Sequence, residues 1–435
     1  MKRILIALTP VICVGALAGA ALSAADRSAA TRVPLCPGLT IVTAVAQQDG
    51  DYESIKTIQS VDSKQVRLRY SVEKMQYPGL FDDTPPVLRN IIIHRTVLTA
   101  DLASAKNYQQ RFMEKSVEII PETTAIGASA AVLNALKRTG AADLGLSNAG
   151  DGGWTWTADR NKTPNYYQAL AVAKLKRVAK GSTSLPVLVN DSLVELPAIH
   201  AEGDWYGDKV EFFFLDDDRN PLTLAFRIGV GAVRPLSPEA RAMCKEHPNE
   251  ARTGYRCDLP NGGDRETLRV IKIAYRCTTP GAAPGGNAGP GGGQAPGAVA
   301  SAASGLGSVA DAASFEHALA EKGSVDIYSI HFSFNSATIR DESEPTLKEI
   351  ADVLRRHPDW KLGITGHTDG IGTPQYNVDL STRRAAAVRT ALVTRYAING
   401  NRLGTSGLGE SQPKDTNDTL EGRARNRRVE LTRQQ

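Results

Sequence analysis

A stretch of 31 residues, 278–308, divides the chain into two parts that we expect to fold separately. It contains ten Gly, four Pro and no charged residue, and Val299 and Leu306 are its only larger apolar side chains. Such a segment cannot bury enough apolar surface to offset the loss of chain entropy, so we interpret it as a flexible linker. Its expected root-mean-square span is about 30 Å. We therefore expect the regions before and after it to move independently.

The N-terminal residues indicate export. Two basic residues precede an uncharged apolar run, residues 4–22, and small residues follow at 23–25. This is the layout of a secretory signal peptide, so residues 1–25 are the predicted signal, with cleavage after Ala25. The alternative is an uncleaved membrane anchor, because an apolar run of about 19 residues is long enough to cross a bilayer.

Cysteine usage agrees with an oxidising compartment. Four cysteines follow the predicted signal, namely Cys36, Cys244, Cys257 and Cys277. An even number in an exported protein indicates disulfides, and four cysteines allow three pairings. We favour Cys244–Cys257, which closes a short polar loop, together with Cys36–Cys277, which ties the two ends of one domain. A zinc site is the alternative, but zinc ligands usually show tighter paired spacing.

Residues 26–277 are predicted to form an α+β domain of unknown function. The segments with strand-like patterns are 40–46, 56–60, 65–73, 185–189, 210–215 and 222–228. Helical periodicity appears at 130–137 and at 166–178. The acidic triplet 216–218 lacks the ligand spacing of a calcium loop, so we interpret it as a solvated turn between two strands.

This domain shows no catalytic motif in its sequence. It has no G-x-S-x-G, no H-E-x-x-H, no P-loop and no strand-linked G-x-G-x-x-G. His94 and His200 lie in apolar surroundings, which is typical of hydrogen-bonded strand or core histidines. Trp154 and Trp156 alternate as packing residues do, and stacking on a sugar or peptide is the alternative. We predict no enzymatic activity, no metal and no cofactor; an active site within 36–277 stays open as an alternative.

Residues 309–435 alternate between strand and helix patterns, which predicts a small sheet with helices packed on it. The predicted strands are 327–334, 362–365 and 427–431, and residues 402–407 precede a Gly-rich loop that extends to Pro413. Two helices are predicted to begin near Glu342 and near Tyr376, and a short third helix covers 420–425.

The helix that begins near Tyr376 has an arginine within its apolar stripe. At 100° per residue, the stripe comprises Leu380, Ala387, Val388 and Ala391. Arg384 falls in the middle of this stripe, and Asn377 lies on nearly the same bearing. A guanidinium on a core face is costly unless an anion pairs with it, and Asp369 at the end of the preceding strand is the nearest candidate. The two residues either form an internal salt bridge or hold a ligand that carries both charges.

The motifs around these residues resemble a known family. GHTDGIGTPQYNVDLSTRRAAAV begins at Gly366, GLGESQP and N-x-T-x-x-G-R-A-x-N-R-R-V-E follow it, and FSFNSATI lies upstream. Together they resemble the OmpA-like peptidoglycan-binding domain over about residues 325–433. The implied fold is an α+β sandwich, a β/α/β/α arrangement of a small sheet with helices, which occupies 309–435 behind the linker.

The resemblance implies a non-catalytic module that holds the diaminopimelate residue of a peptidoglycan stem peptide. The implied pocket residues are Asp369, Arg384, Thr368, Asn377 and Arg427. Diaminopimelate presents an ammonium and a carboxylate on one carbon, so Asp369 would receive the ammonium and Arg384 would clamp the carboxylate. Some members carry Asn where this chain has Ala337, so Asn335 is the candidate for the first-strand contact.

The sequence therefore predicts an exported protein of the periplasm or outer-membrane-associated envelope of a Gram-negative-type bacterium. Its C-terminal domain would tether the N-terminal domain to peptidoglycan, and outer-membrane or other envelope proteins are candidate partners of the N-terminal domain. With 51 basic and 47 acidic residues the net charge is +4, without a basic block, so no nucleic-acid partner is expected. A stator-type protein with an uncleaved anchor is the remaining alternative, although its apolar run has no carboxylate for ion conduction.

Overall fold

The structure is a computed structural model, and it describes residues 33–47, 50–76, 87–110, 112, 118–146, 171–205, 208–230, 266–275, 277 and 312–434. The predicted signal peptide, the predicted linker, the Trp154 and Trp156 pair and the favoured Cys244–Cys257 bridge lie outside the described residues. Within the described ranges, no helix is both long enough and apolar enough to span a membrane.

The N-terminal region, residues 33–277, is mostly β structure. Its described strands are β1 (Thr40–Gln47), β2 (Gly50–Val61), β3 (Gln65–Gln76), β4 (Val87–Leu98), β5 (Asn107–Tyr108), β6 (Thr123–Thr124), β7 (Ala141–Leu146), β8 (Ala171–Arg177), β9 (Thr183–Val189), β10 (Ser192–Trp205), β11 (Asp208–Leu215), β12 (Thr223–Ile228) and β13 (Glu266–Ala274). The described helices are α1 (Thr99–Ser104) and α2 (Ala130–Thr139). The predicted mixture of α and β is present, with β structure dominant.

All of these strands belong to one sheet. Its order is β4-β3-β2-β1-β13-β12-β11-β10-β8-β7-β5-β6, and β9 pairs with both β10 and β13. Strands β9 to β13 therefore close into a ring, in which each strand pairs with the next and β13 pairs with β9. Their buried side chains contribute to two apolar clusters.

One predicted helix is a strand. Of the segment predicted as helical at 166–178, the structure describes residues 171–178, and 171–177 of these form β8. Ala173 and Leu175 are buried while Val172, Lys174 and Lys176 are exposed, so burial alternates with the period of two that a strand requires. The helical interpretation is wrong because pairing with β7 and β10 overrides the helix propensity of Ala, Leu and Lys.

Several smaller predictions agree with the structure. The acidic triplet 216–218 lies in the turn between β11 and β12, where Lys137 of α2 pairs with Asp216 at 2.5 Å and with Asp218 at 2.7 Å. The imidazole of His94 is hydrogen-bonded to Gln59 at 3.0 Å. Cys36, before β1, and Cys277, after β13, are joined by a disulfide with 6.0 Å between their Cα atoms.

The C-terminal region, residues 312–434, builds a second sheet with the order β14-β17-β15-β16. Its strands are β14 (Ser324–Ile327), β15 (Lys361–Gly366), β16 (Leu403–Gly407) and β17 (Val429–Gln434). Its helices are α3 (Ala312–Glu321), α4 (Glu344–Arg356), α5 (Pro374–Tyr396) and α6 (Leu420–Asn426). Apolar residues of α3, α4 and α5 pack with residues of all four strands into one core, so the predicted α+β fold of this region is confirmed.

The predicted strand 327–334 is a strand only at its first residue, where β14 ends. The rest is irregular because its polar groups bond to side chains of the N-terminal region. The Tyr328 N–H donates to Asp191 at 2.9 Å, and the Phe334 N–H donates to Glu73 at 2.9 Å. Asn335 then turns the chain with a φ of 53°. The segment therefore runs along the other sheet as a docked loop.

The two regions pack against each other. Leu420 and Ala424 of α6 lie against an apolar patch of the first sheet, formed by Val42, Ala44, Ile55 and Ile271. Beside this patch, Arg69 of β3 pairs with Glu342 at 2.7 Å. This contact differs from the independent motion that we expected, since the composition of a linker carries no information about the surfaces at its two ends.

Candidate functional site

A cavity of about 470 Å³ lies where the two regions meet. All six residues that the sequence marked for ligand binding line it: Thr368, Asp369, Asn377, Arg384, Arg427 and Asn335. The opposite wall comes from the first sheet, with Glu53 of β2, Glu73 of β3 and Lys272 of β13. The sequence had assigned no role to these three residues.

Close packing of α5 on the second sheet brings the predicted residues together. β15 ends at Gly366, where a Cβ atom would lie 2.2 Å from the backbone oxygen of Ser381 in α5. Only glycine permits so close an approach of strand and helix. The loop that follows Gly366 carries Asp369 to the same side of α5 as Asn377 and Arg384.

Asp369 is held by Arg427 and not by Arg384. Its side chain is buried, one carboxylate oxygen accepts from the Arg427 guanidinium at 2.5 Å, and the other accepts from the Ile371 N–H at 3.2 Å. Ion pairs of the described residues include Asp369–Arg427 but no pair between Asp369 and Arg384. The internal Arg384–Asp369 salt bridge, which the sequence left open, is therefore not formed here.

Arg384 is a cation without a carboxylate partner in the described part of the chain. Its Nε–H donates to the backbone oxygen of Ser336 at 3.0 Å, and its guanidinium carbon lies 5.0 Å from the centre of the Phe332 ring. Burial lowers the pKa of Arg384 to about 10, and nearby Asp369 only partly opposes this effect. The side chain is therefore charged at neutral pH, and its two Nη groups can receive a carboxylate in the bidentate manner typical of arginine.

Arg427 joins the two walls of the cavity. It follows α6, and its guanidinium donates both to Asp369 and to Glu53 of β2. Burial alone would raise the pKa of Glu53, but Arg427 and Lys272 outweigh it and lower this pKa to about 2. Glu53 and Asp369 in turn raise the pKa of Arg427 despite its burial. The result is a row of alternating charges, Glu53–Arg427–Asp369, which crosses the boundary between the regions.

The remaining predicted residues differ in what they offer. Asn377 is buried, and its amide donates to the backbone oxygen of Asp369 at 3.3 Å and to Glu410 at 2.5 Å. It therefore positions the Asp369 loop. The buried Thr368 hydroxyl has no hydrogen-bond partner among the described residues. Asn335 accepts a hydrogen bond from the hydroxyl of Tyr376.

Lys272 is a residue that sequence reasoning missed. It is only 7% exposed, and burial lowers its pKa, an effect that Glu53 opposes. One signal was visible in the sequence: β13 reads ETLRVIKIA, and a lysine inside an otherwise apolar run is uncommon in a strand covered on both faces. That signal marks an unusual residue but does not identify the ligand or the region that lies opposite it.

A group of metal-ligating side chains occurs away from the cavity. His200, Glu202 and Glu211 place potential ligand atoms within 4.8 Å of one another. Cations and the imidazole already occupy these carboxylates: Glu211 pairs with Arg227 at 2.6 Å and with His200 at 2.7 Å, and Glu202 pairs with Lys209 at 3.0 Å. We therefore interpret the group as a network of ion pairs and hydrogen bonds on the strand surface.

The charged residues at the boundary between the two regions predict that the protein becomes less stable in acid. Glu53 and Glu342 have pKa values lowered to about 2, by Arg427 and Arg340 respectively acting against burial, compared with an ordinary value of 4.5. A carboxylate whose pKa is lowered in the folded state stabilises the folded protein at pH values above 4.5. This contribution to the free energy of unfolding is lost as the pH falls from 4.5 towards 2, at up to about 1.4 kcal/mol per pH unit for each carboxylate. Urea unfolding at pH 7, 5 and 3 should show this slope.

The matched variants isolate that slope from general acid unfolding. Glu53→Gln and Glu342→Gln should each flatten the dependence between pH 5 and pH 3, whereas replacing the exposed Asp359 by asparagine should leave it as in the parent. Equal slopes in all four proteins would contradict the assignment of these two carboxylates.

Comparisons with known proteins agree on the C-terminal region. Residues 331–427 match the OmpA family. The chain is 44% identical over 101 residues to outer membrane porin F of Pseudomonas aeruginosa. This match covers 23% of this chain and 29% of the porin. It is 39% identical over 102 residues to the peptidoglycan-binding protein ArfA of Mycobacterium bovis. This match covers 23% of this chain and 31% of that protein. The match therefore spans less than a third of either relative.

A solved structure matches the same part of the chain. The peptidoglycan-associated lipoprotein from Burkholderia pseudomallei is 32% identical, and the match covers 24% of this chain and 88% of that one with a TM-score of 0.23. The described strands β1 to β13 lie before the residues that match the family.

Proposed function

Because residues 331–427 belong to the OmpA family, we propose that this protein is a non-catalytic component of the bacterial envelope that binds peptidoglycan. The site is the cavity between the two regions, and the ligand is the diaminopimelate residue of a stem peptide. The single observation that carries this proposal is Arg384, a cation without a described carboxylate partner, on the same cavity wall as the anion Asp369.

The chemistry of the cavity suits that ligand. The free end of a diaminopimelate residue carries an ammonium and a carboxylate on one carbon, so it needs an anion and a cation side by side. Arg384 supplies two N–H groups for the carboxylate, Asp369 supplies oxygens for the ammonium, and the Thr368 hydroxyl can complete the contact. A volume of about 470 Å³ lies within the usual range for small-ligand sites.

The names of the relatives support the proposed location in the cell envelope and the proposed non-catalytic role. Their names describe a porin of the outer membrane, a peptidoglycan-binding protein and a peptidoglycan-associated lipoprotein. With the predicted signal peptide at 1–25, they support a protein exported to the periplasm and associated with the outer membrane of a Gram-negative-type bacterium. On this proposal the N-terminal region is the part that the cell wall holds in place, and it needs no cofactor.

A binding assay tests the proposal directly. The full chain from residue 26 should sediment with purified sacculi whose stem peptides carry diaminopimelate, and free meso-diaminopimelate should displace it. Sacculi that carry lysine at the same position should bind more weakly, because lysine lacks the second carboxylate that Arg384 would hold. Free L-lysine serves as the control for displacement. Equal binding to both kinds of sacculus would contradict the proposed site, and so would a failure of meso-diaminopimelate to displace the protein any better than L-lysine does.

A further inference from the structure

The wall of the cavity that comes from the first sheet contains a second cation. Lys272 of β13 is 7% exposed and lines the cavity together with Arg384. Among the described residues, no carboxylate lies within 4 Å of its ammonium group, and no hydrogen bond from this group is formed with them. The charges of Glu53 and Asp191 act on this ammonium without forming an ion pair with it. A buried ammonium without a directly bonded anion is costly, and a carboxylate ligand in the cavity would lower that cost.

A strand irregularity directs Lys272 into the cavity. The pairing of β1 with β13 shifts by one residue between Val42 and Thr43, so Ile271 is the extra residue of a bulge. Val270 and Ile273 belong to the apolar core of the N-terminal region, whereas Ile271 packs with the residues of α6. Lys272 follows Ile271 on the side that faces the C-terminal region. The bulge therefore places two successive side chains on the contact between the regions.

None of the acidic residues that line the cavity forms an ion pair with Lys272 in the described structure. Glu53 pairs with Arg427, Asp369 pairs with the same guanidinium, and Glu73 accepts hydrogen bonds from the Ser333 hydroxyl at 3.1 Å and the Phe334 N–H at 2.9 Å. Two cations, Arg384 and Lys272, thus face the cavity without described carboxylates. The free end of diaminopimelate brings one carboxylate and one ammonium, so it neutralises only one of these cations.

We propose that Lys272 binds a second carboxylate of the stem peptide, so that the N-terminal region takes part in selecting the ligand. This inference rests on the proposed function. Stem peptides supply two such carboxylates near diaminopimelate: the α-carboxylate of a γ-linked glutamate and the carboxylate at the peptide C-terminus. Both present the same chemistry to an ammonium group. A stem peptide in which both are amidated would leave Lys272 buried and unneutralised.

The experiment uses the full chain and three synthetic stem peptides, each with an unmodified diaminopimelate end. The first keeps the glutamate α-carboxylate and has a C-terminal amide, the second reverses this arrangement, and the third is amidated at both positions. We expect the parent protein to bind the first or the second peptide about tenfold or more tightly than the third, since hydrogen bonds to charged groups in semi-enclosed sites are strong. Whichever of the two binds tightly identifies the carboxylate.

Variants then assign the effect to Lys272. Lys272→Gln should remove the preference among the three peptides, while Lys272→Arg should retain it. Equal binding of all three peptides by the parent would overturn the inference and leave the proposed function standing, and that outcome needs no variant to fold. Binding of none of the three would instead count against the proposed function. A preference that persists in a folded Lys272→Gln protein would also overturn the role of Lys272.

Discussion

Replacing Arg384 by alanine should lower the affinity of the full chain for diaminopimelate-type sacculi by about thirtyfold or more. The change leaves the carboxylate of the ligand without its cation in a semi-enclosed cavity, which costs roughly 2–5 kcal/mol of binding free energy, and each ~1.4 kcal/mol corresponds to a tenfold change in affinity. Sedimentation with sacculi over a range of protein concentrations measures this loss.

The same change should alter stability little. Arg384 makes one described hydrogen bond, to the backbone oxygen of Ser336. Its removal leaves no described carboxylate without an ion-pair partner. We expect the free energy of unfolding to fall by about 1 kcal/mol, the usual contribution of one such hydrogen bond. Loss of binding with a nearly unchanged melting temperature would separate a ligand-binding role from a structural one.

The preceding residue of α5 provides a matched control. Arg383 is exposed and pairs with Asp379 one turn away at 2.8 Å, an interaction worth only about 0.3–0.5 kcal/mol. Arg383→Ala removes the same charge and the same number of atoms, and sacculus binding should stay close to that of the parent. A folded Arg384→Ala protein that binds as the parent does, or an equal loss in Arg383→Ala, would contradict the site assignment.

The part of the site that lies within one contiguous run of the sequence was predictable. The interval from Gly366 to Arg384 contains a strand end, a loop and a helix whose stripe has a clear period, so its backbone path follows from local pattern. That path places Asp369 and Arg384 on one cavity wall. The ion-pair partner of Asp369 was harder to predict from the sequence, because Arg427 reaches it from the end of α6, 58 residues further along the chain.

The opposite wall could not be read from the sequence. Glu53 looks like an ordinary polar residue of a strand, and the pattern around Lys272 marks it as unusual without showing what it faces. The role of both residues arises only when the first sheet packs against the second. The same packing explains why the segment 328–334 is not a strand, since Asp191 and Glu73 bind its backbone N–H groups. Contacts between distant parts of a chain depend on the shapes of two finished surfaces, which local periodicity does not encode.

Substituting Asp369 should affect stability as well as binding. Because Asp369 shares the Arg427 guanidinium with Glu53, its removal leaves part of a buried cation without a partner. We expect Asp369→Ala to lose both binding and stability, so Arg384→Ala is the cleaner test of ligand recognition.

Removing the Cys36–Cys277 disulfide should produce the largest loss of stability. The bond joins residues separated by 241 positions, and the chain-entropy relation gives a contribution of about 5 kcal/mol for a loop of this length, with the mechanism dependent on the model used. The double variant Cys36→Ser and Cys277→Ser should therefore unfold at a much lower urea concentration than the oxidised parent.

The position of the bond adds a consequence for the cavity. Cys36 and Cys277 flank β1 and β13, which pair with each other and carry Ala44 and Lys272 on the cavity wall. Loss of the bond frees these strand ends to fray, so the Lys272-dependent preference among stem peptides should weaken before the Arg384-dependent binding does. Reducing the parent with a thiol should reproduce both effects. An unchanged urea midpoint in the double variant, with the parent shown to be oxidised by non-reducing peptide mapping, would refute the stabilising role of this bond.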